Sequence, residues 1–145
     1  MAFTGNFACD VFKTGLMDGT YDFSSGTSQV FKIALYTNSA TLNQNTTAYT
    51  ATGETTGAGY VAGGKILTIG VNPTNSNDIS FLSFDDISWT GSTFTARGAL
   101  IYQYNGTTNP AVCVLDFGSD KTTTNGTFTV QFPSATSTSA VIRIA

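Results

Sequence analysis

The side chains of this 145-residue chain that could do chemistry are nine carboxylates and two thiols, and the chain contains no histidine. The missing histidine excludes Ser-His-Asp and Cys-His nucleophile arrangements, and it removes the commonest ligand of zinc, copper and non-haem iron. Cys9 and Cys113 are too far apart for zinc-finger spacing. No G-x-x-x-x-G-K-S/T phosphate loop occurs, and the glycines around Gly57 do not stand between a strand and a helix, as a dinucleotide site requires. We therefore predict that the protein is not an enzyme and has no catalytic, metal-binding or cofactor-binding residues.

The carboxylates are distributed in a way that favours structural roles. Asp85 and Asp86 are adjacent, and neighbours on a strand point to opposite faces, whereas a glycosidase needs two carboxyls about 5–10 Å apart across a sugar. We interpret this pair as a turn between two strands. Asp116, Asp120 and Lys121 could bind Ca²⁺ or form an ion pair, and we predict a turn with a surface salt bridge. Three isolated carboxylates are predicted to be solvated surface positions: Asp18, Asp22 and Glu54.

The two cysteines and the single tryptophan each allow two interpretations. A disulfide between Cys9 and Cys113 would close about 100 residues and stabilise the fold by up to about 4.7 kcal/mol in the chain-entropy model. Cys113 lies in the apolar run 111–115, so we predict two buried thiols instead. Trp89 could form a sugar-stacking platform with tyrosines. It follows Ile87 at strand spacing, so we predict that it packs in the core.

The charge of the chain argues against several classes of partner. The net charge is −3, and only 10% of residues are charged, against roughly 25% in a typical soluble protein. The six Lys and Arg residues are scattered and form no basic stripe, so binding to nucleic acid or to an anionic membrane surface is not expected. No apolar run is long enough for a transmembrane helix, and the first residues lack the basic and apolar regions of a signal peptide. We expect a protein made in a cytoplasm.

The hydrophobic pattern predicts one short helix followed by strands. Residues 7–18 place apolar side chains on one helical face, with Asn6 as a possible cap and Gly19 as the stop signal. Period-two or continuous apolar runs predict strands at 30–36, 65–71, 79–84, 87–89, 93–104, 111–117, 127–132 and 140–144. Turns are predicted at Asn105-Gly106 and Asn125-Gly126. The irregular loop 38–64, with a short strand around 48–50, is a candidate for contact with a neighbouring subunit.

These elements predict an all-β fold with a single domain spanning residues 1–145. Seven or eight short strands separated by turn signals are typical of an antiparallel β-sandwich, immunoglobulin-like or jelly-roll-like, here with one short N-terminal helix. No internal repeat of 20–50 residues is apparent, so a solenoid or propeller is disfavoured.

Several long strings of residues resemble a family of small structural proteins of tailed-bacteriophage particles. They are FKIALYTNSATL at 31–42, FTARGALIY at 94–102, VLDFGSDK at 114–121, and the end of the chain from 128–133 to 142–145. The resemblance covers nearly the whole chain and implies a virion structural protein without enzymatic activity. It carries no site residues with it.

Within that resemblance, we expect a capsid decoration (cement) protein on the outer face of the major capsid protein shell. A compact domain with a neutral, hydroxyl-rich exterior suits such bridging, which requires roughly 1,200–2,000 Å² of buried surface for each contact. The expected partners are the major capsid protein and further copies of the chain, with a trimer as one possibility. The expected location is the virion, assembled in the bacterial cytoplasm. The alternatives are a tail, collar or fibre component, and a carbohydrate-binding module, which requires an exposed Trp89 or tyrosine cluster.

Overall fold

The computed structural model describes residues 3–145 and contains two antiparallel sheets and one helix. The elements are β1 (Phe7–Ala8), α1 (Asp10–Asp18), β2 (Val30–Tyr36), β3 (Lys65–Ile66), β4 (Ile69–Ser76), β5 (Ile79–Phe84), β6 (Ile87–Tyr104), β7 (Ala111–Val130) and β8 (Ile142–Ile144). The large sheet has the order β1-β7-β6-β2-β3, and the small sheet has the order β4-β5-β8. The architecture confirms the predicted all-β sandwich with one short helix. Within residues 3–145, no helix is long and apolar enough to cross a membrane.

The centre of the large sheet consists of β2, β6 and β7. Every residue of β2 pairs with β6, from Val30 opposite Tyr104 to Tyr36 opposite Gly98. Residues 98–103 of β6 and 111–114 of β7 are buried on both faces of the sheet. Two-sided burial explains why 111–114 reads as a continuous apolar run rather than as an alternating one. Residues 115–117, predicted to belong to the same buried run, are only half-buried.

The two faces of the large sheet are covered by different parts of the chain. Lys32 lies opposite Tyr102, so both side chains point to one face, while the neighbouring Phe31 points to the other. On the first face, Tyr102 stacks on Tyr49 of the segment 37–64, with ring centroids 4.9 Å apart. We call this face the loop face and the segment the 37–64 loop. On the second face, Phe31 stacks on Phe23, with ring centroids 4.3 Å apart. We call it the helix face, because α1 and the small sheet cover it.

The helix starts later than predicted because the chain first pairs with β7. Phe7 and Ala8, expected in the first helical turn, form β1 and lie opposite Val114 and Cys113. Asn6 does not cap the helix, since its side-chain oxygen accepts a hydrogen bond from the backbone N–H of Asp116 at 2.7 Å. The predicted stop at Gly19 is confirmed. Its φ of 80° suits glycine, and its N–H donates to the carbonyl of Gly15.

Several strand boundaries also differ from the prediction. The strand expected at 65–71 is two strands, because the chain leaves the large sheet after β3 and enters the small sheet at β4. The runs 87–89 and 93–104 form one strand, β6, and the runs 111–117 and 127–132 are parts of one strand, β7, that ends at Val130. The last strand is shorter than the predicted 140–144.

The two predicted Asn-Gly turns have different outcomes. Asn105-Gly106 does begin the loop between β6 and β7, where the Asn105 side chain accepts hydrogen bonds from the N–H groups of Thr107, Thr108 and Asn109. Asn125-Gly126 forms no turn. It lies inside β7 beside a register shift against β6, and Asn125 takes a φ of 47° there. The left-handed conformation that a turn needs also suits a β-bulge, so the sequence signal alone does not separate the two.

Candidate functional site

The 37–64 loop is joined to the large sheet by a cluster of polar side chains around Glu54. One carboxylate oxygen of Glu54 accepts hydrogen bonds from the Tyr60 hydroxyl at 2.6 Å and from the Gly63 N–H at 2.7 Å. The other oxygen accepts one from the Tyr49 hydroxyl at 2.6 Å. Glu54 is half-buried, so the prediction of an isolated, solvated carboxylate is wrong. Folding brings to it donors that are five to nine residues away in sequence.

Further tyrosines extend this cluster into the sheet. The Tyr60 hydroxyl also accepts a hydrogen bond from the backbone N–H of Leu35 in β2, at 2.9 Å. Tyr36 donates to the carbonyl of Thr50 at 2.7 Å, and Tyr102 donates to the carbonyl of Gly63 at 2.7 Å. We call the group the tyrosine hub, and its members are Tyr36, Tyr49, Glu54, Tyr60, Gly63 and Tyr102. Each tyrosine of the hub bonds a loop group, so together they fix the loop on the loop face.

Burial keeps the tyrosines of the hub protonated. Desolvation, followed by the hydrogen bond to Glu54, raises the pKa of Tyr49 to about 12. The same two causes hold the pKa of Tyr60 well above its ordinary range, and desolvation followed by the charge of Glu54 does so for Tyr36. These phenols therefore stay donors above the pH at which an ordinary tyrosine ionises, which matches the acceptor-only carboxylate they surround.

The geometry of the hub fits a structural clasp better than a catalytic site. A general acid or base must reach a substrate with a free lone pair or proton, and both oxygens of Glu54 already accept short hydrogen bonds within the protein. A glycosidase would need a second carboxylate beside it. Within the part of the chain that the structure describes, no group of three or more His, Cys, Asp and Glu residues could hold a metal ion.

Two of the other carboxylates singled out in the sequence, Asp86 and Asp116, also have structural partners. Asp85 and Asp86 lie between β5 and β6 as predicted, and the Asp86 side chain accepts the backbone N–H of Phe132 at 2.8 Å. Asp116 forms an ion pair with Arg97 at 3.2 Å, and the two side chains are only 13% and 12% exposed. The predicted turn with a surface salt bridge is therefore wrong, because β7 continues through this segment. Asp18 and Asp22 are exposed, as predicted.

Residues 116–121 form a bulge of several residues in β7 rather than a turn. Gly98 of β6 lies opposite Asp116, but Ala96 lies opposite Lys121, so β7 advances five residues while β6 advances two. Gly118, with a φ of 80°, donates its N–H to Asp116 at 2.8 Å. The glycine and polar residues that predicted a turn are thus used to bend a strand.

The two cysteines are buried and unpaired, as predicted. They belong to opposite faces of the large sheet. The Cys9 thiol lies 4.0 Å from the carbonyl of Asn43 in the 37–64 loop, whereas Cys113 lines a groove on the helix face. Desolvation is the main cause that raises the pKa of Cys9 to about 12, and it raises that of Cys113 as well. Both thiols are therefore expected to be protonated and unreactive at neutral pH.

Trp89 lies in the core, as predicted, with 1% of its surface exposed. It belongs to an aromatic cluster with Tyr60, Phe94 and Phe128, whose ring centroids are 6.1–6.4 Å from its own. An indole in this position cannot stack on a sugar from solution. The carbohydrate-binding alternative therefore loses the tryptophan that was its main support.

The helix face carries an open groove between two edge strands. Its cavity has a volume of about 400 Å³, and it is lined by β1, α1, the start of β7, and β8. A second cavity of about 240 Å³ lies between α1, β5 and β8, and Ile142 and Ile144 line both cavities. Ile144 is 50% exposed. We call the first cavity the edge groove.

Comparison with known proteins identifies no relative of this chain. No family model matches it, and neither a curated protein nor a solved structure does so. Two structural features remain that bear on its function. The tyrosine hub fixes the 37–64 loop on the loop face, and the edge groove lies open on the helix face.

Proposed function

We propose that this protein is a non-enzymatic structural subunit of a tailed-bacteriophage particle, bound as a decoration protein to the outer face of the capsid shell. The observation that carries the proposal is the resemblance of four long sequence strings to that class of virion protein. In the fold, these strings supply β2 from its second residue on, half of β6, the middle and end of β7, and β8. They include the three central strands of the large sheet, so the resemblance concerns the framework of the domain rather than one short motif.

The structural use of the carboxylates supports a role without catalysis. Glu54 belongs to the clasp of the loop, Asp116 is paired with Arg97, and Asp86 accepts a backbone hydrogen bond. Glu54 and Asp116 are half-buried and bonded within the protein, as is typical of structural positions, while the exposed Asp86 accepts one backbone N–H. The chemistry of the protein then lies in its contacts with other proteins.

The exterior of the β6–β7 ribbon supports a position on an outer surface. Hydroxyl groups pair across the two strands, with Ser88 and Thr129 2.7 Å apart and Thr95 and Thr122 2.8 Å apart. A neutral hydroxyl surface allows many copies to lie close together without the repulsion that a highly charged surface produces. The net charge of −3 keeps the chain away from packaged DNA. The proposed partners are the major capsid protein and further copies of the chain, which can cluster as trimers at local symmetry axes.

The experiment that tests this proposal is a copy number in purified particles. Isotope-labelled peptides from this chain and from the major capsid protein, measured by mass spectrometry in one sample, give the ratio of the two. A decoration protein is expected in several hundred copies. A ratio equivalent to about three to twelve copies would move the chain to the tail, collar or fibre, where symmetry sets such numbers. Absence from purified particles would overturn the virion assignment.

A further inference from the structure

The two edges of the small sheet differ in how they are protected. The edge strand β4 contains Pro73, which has no N–H to donate, and two register shifts interrupt its pairing with β5. Prolines and bulges on an edge strand prevent it from pairing with another chain. The opposite edge strand, β8, has the sequence Ile142-Arg143-Ile144 and pairs with β5 without a register shift. It contains neither protective feature.

The outer side of β8 has a free backbone edge beside the edge groove. Among residues 3–145, β8 forms backbone ladder bonds with β5 alone, and it is the last strand of its sheet. Across the groove lies β1, which is one of the two edge strands of the large sheet. An extended segment that entered here would find unpaired N–H and C=O groups on β8. Its side chains would meet an apolar floor that includes Phe12, Leu16 and Leu115.

The charge of the groove differs from that of the whole chain. Lys13 and Arg143 line it, and no carboxylate does so among the described residues, although the chain has nine acidic and six basic residues. Lys13 forms an exposed ion pair with Asp10, and Arg143 donates to the carbonyl of Ser137 at 3.1 Å. An exposed ion pair of this kind is weak and exchanges readily. Lys13 is only partly neutralised by Asp10, and the exposed Arg143, which has no acidic partner among the described residues, can attract a carboxylate at the mouth of the groove.

We propose that the edge groove binds an extended segment of a partner protein by strand addition to β8, with apolar side chains in the groove and an Asp or Glu side chain at Arg143. The inference goes beyond the proposed function, because the chemistry of the segment follows from the groove whichever part of a particle the chain occupies. A second copy of the chain could instead pair its β8 with the β8 of the first. With the twofold axis at Arg143, the two arginines would lie directly opposite each other, which is unfavourable.

Selection of peptides from a random library tests this inference on the full chain. An mRNA-display library of random decapeptides is selected on the immobilised protein, and the enriched peptides are measured by fluorescence anisotropy. We expect enriched sequences in which apolar residues alternate and an Asp or Glu is present. N-methylation of the amides along one edge of the peptide should abolish binding, while N-methylation along the other edge should not, because a strand bonds its neighbour through one edge only.

Variants of the groove locate the binding. Ile144→Lys and Arg143→Glu should each weaken the enriched peptides by about tenfold or more. Exchange of the peptide acid for lysine should restore binding to Arg143→Glu and not to the wild type. Val61→Lys is the matched control, since it also replaces an exposed apolar residue by lysine but lies in the 37–64 loop. It should leave the affinity unchanged.

Three results would overturn the inference. They are the enrichment of no peptide above background, affinities that neither groove variant changes, and equal loss of binding on N-methylation of either edge. Sedimentation of the free chain tests whether a second copy of the chain occupies the groove instead. A dimer that Ile144→Lys converts to a monomer would make the groove an interface between copies. Near-ultraviolet circular dichroism identifies a misfolded variant, and the exposed Arg143 provides the second variant should Ile144→Lys fail to fold. The copy number in particles is measured separately, so the two proposals can fail independently.

Discussion

The two faces of the large sheet are covered in opposite ways. The loop face is covered by the 37–64 loop, which has almost no regular secondary structure, yet the tyrosine hub joins it to β2 and β6 through short hydrogen bonds. The helix face is covered by regular elements, α1 and β8, and the edge groove opens on it between two edge strands. Regular secondary structure and a closed surface are therefore separate properties. A loop closes a surface when its polar groups find partners there.

This difference changes where contact with a partner is expected. Sequence irregularity made residues 38–64 the candidate for contact, but hydrogen bonds of Tyr36, Tyr60 and Tyr102 hold this segment against the sheet. Val61 of the loop is 74% exposed, so a role for its tip in contacts stays a prediction. The edge groove adds what the loop lacks, namely a free backbone edge beside an apolar floor.

Removal of the Glu54 carboxylate should have the largest effect on stability. Glu54→Ala leaves the Tyr49 and Tyr60 hydroxyls and the Gly63 N–H without their acceptor, and we expect it to lower the free energy of unfolding by about 3 kcal/mol. Urea denaturation followed by tryptophan fluorescence measures the change. Glu54→Gln keeps one acceptor oxygen and should cost about half as much. A loss below about 1 kcal/mol for Glu54→Ala would show that the hub does not close the loop face.

The protonation of the tyrosines should make the protein less stable in alkali. The pKa of Tyr49 in the folded state is about 12, against about 10 in the unfolded chain. Between these values the unfolded state releases a proton that the folded state keeps, so the free energy of unfolding falls as the pH rises from about 10 towards 12. The Cys9 thiol adds to the decline from about pH 9, because its pKa is also raised to about 12.

Urea midpoints between about pH 8 and pH 11 measure this decline. Tyr49→Phe should reduce its slope, since the variant removes one of the titrating phenols of the hub. Tyr21→Phe is the comparison on the other side of the sheet, where the pKa of Tyr21 is also raised to about 12 by burial. Midpoints that stay constant up to pH 11 in the wild type would contradict the protonated hub.

Substitution in the edge groove should have a small effect on stability. Ile144 is 50% exposed, so Ile144→Lys should change the free energy of unfolding by at most about 0.5 kcal/mol, like Val61→Lys on the loop. Urea denaturation of both variants beside the wild type gives the comparison. A loss of about 2 kcal/mol for Ile144→Lys alone would mean that the side chain belongs to the core and that the groove is closed in solution.

The thiols should give the smallest and most local signal. Neither Cys9 nor Cys113 is expected to react with a thiol reagent at about pH 8 in the folded protein, because both are buried with raised pKa values, and both should react in urea. Any slow reaction in the folded state should reach Cys113 first, since it lines the groove, whereas Cys9 lies under the loop. Mass spectrometry of labelled peptides distinguishes the two. Faster labelling of Cys9 would reverse the comparison between the faces.

Local patterns were sufficient to predict the fold class and many of its parts. The strands at 30–36 and 79–84 have the predicted bounds, Gly19 ends the helix, and Trp89 and both cysteines are buried. These features follow from alternation, from left-handed glycine and from apolar neighbours in the sequence, all of which act over a few residues. They are therefore visible without knowledge of the fold.

Long-range contacts were needed for the rest. Asn125-Gly126 and residues 116–121 have turn-like sequences, but pairing with β6 holds both inside one long strand as bulges. Glu54 is an isolated acid in the sequence; its donors lie five to nine residues away in its own loop, and that loop is fixed in place by contacts that include the distant Tyr102 of β6. The edge groove exists only because β1 and β8, at the two ends of the chain, become the neighbouring edges of two sheets. Strand pairing and hydrogen bonding between distant residues decide such features, and neither leaves a local pattern in the sequence.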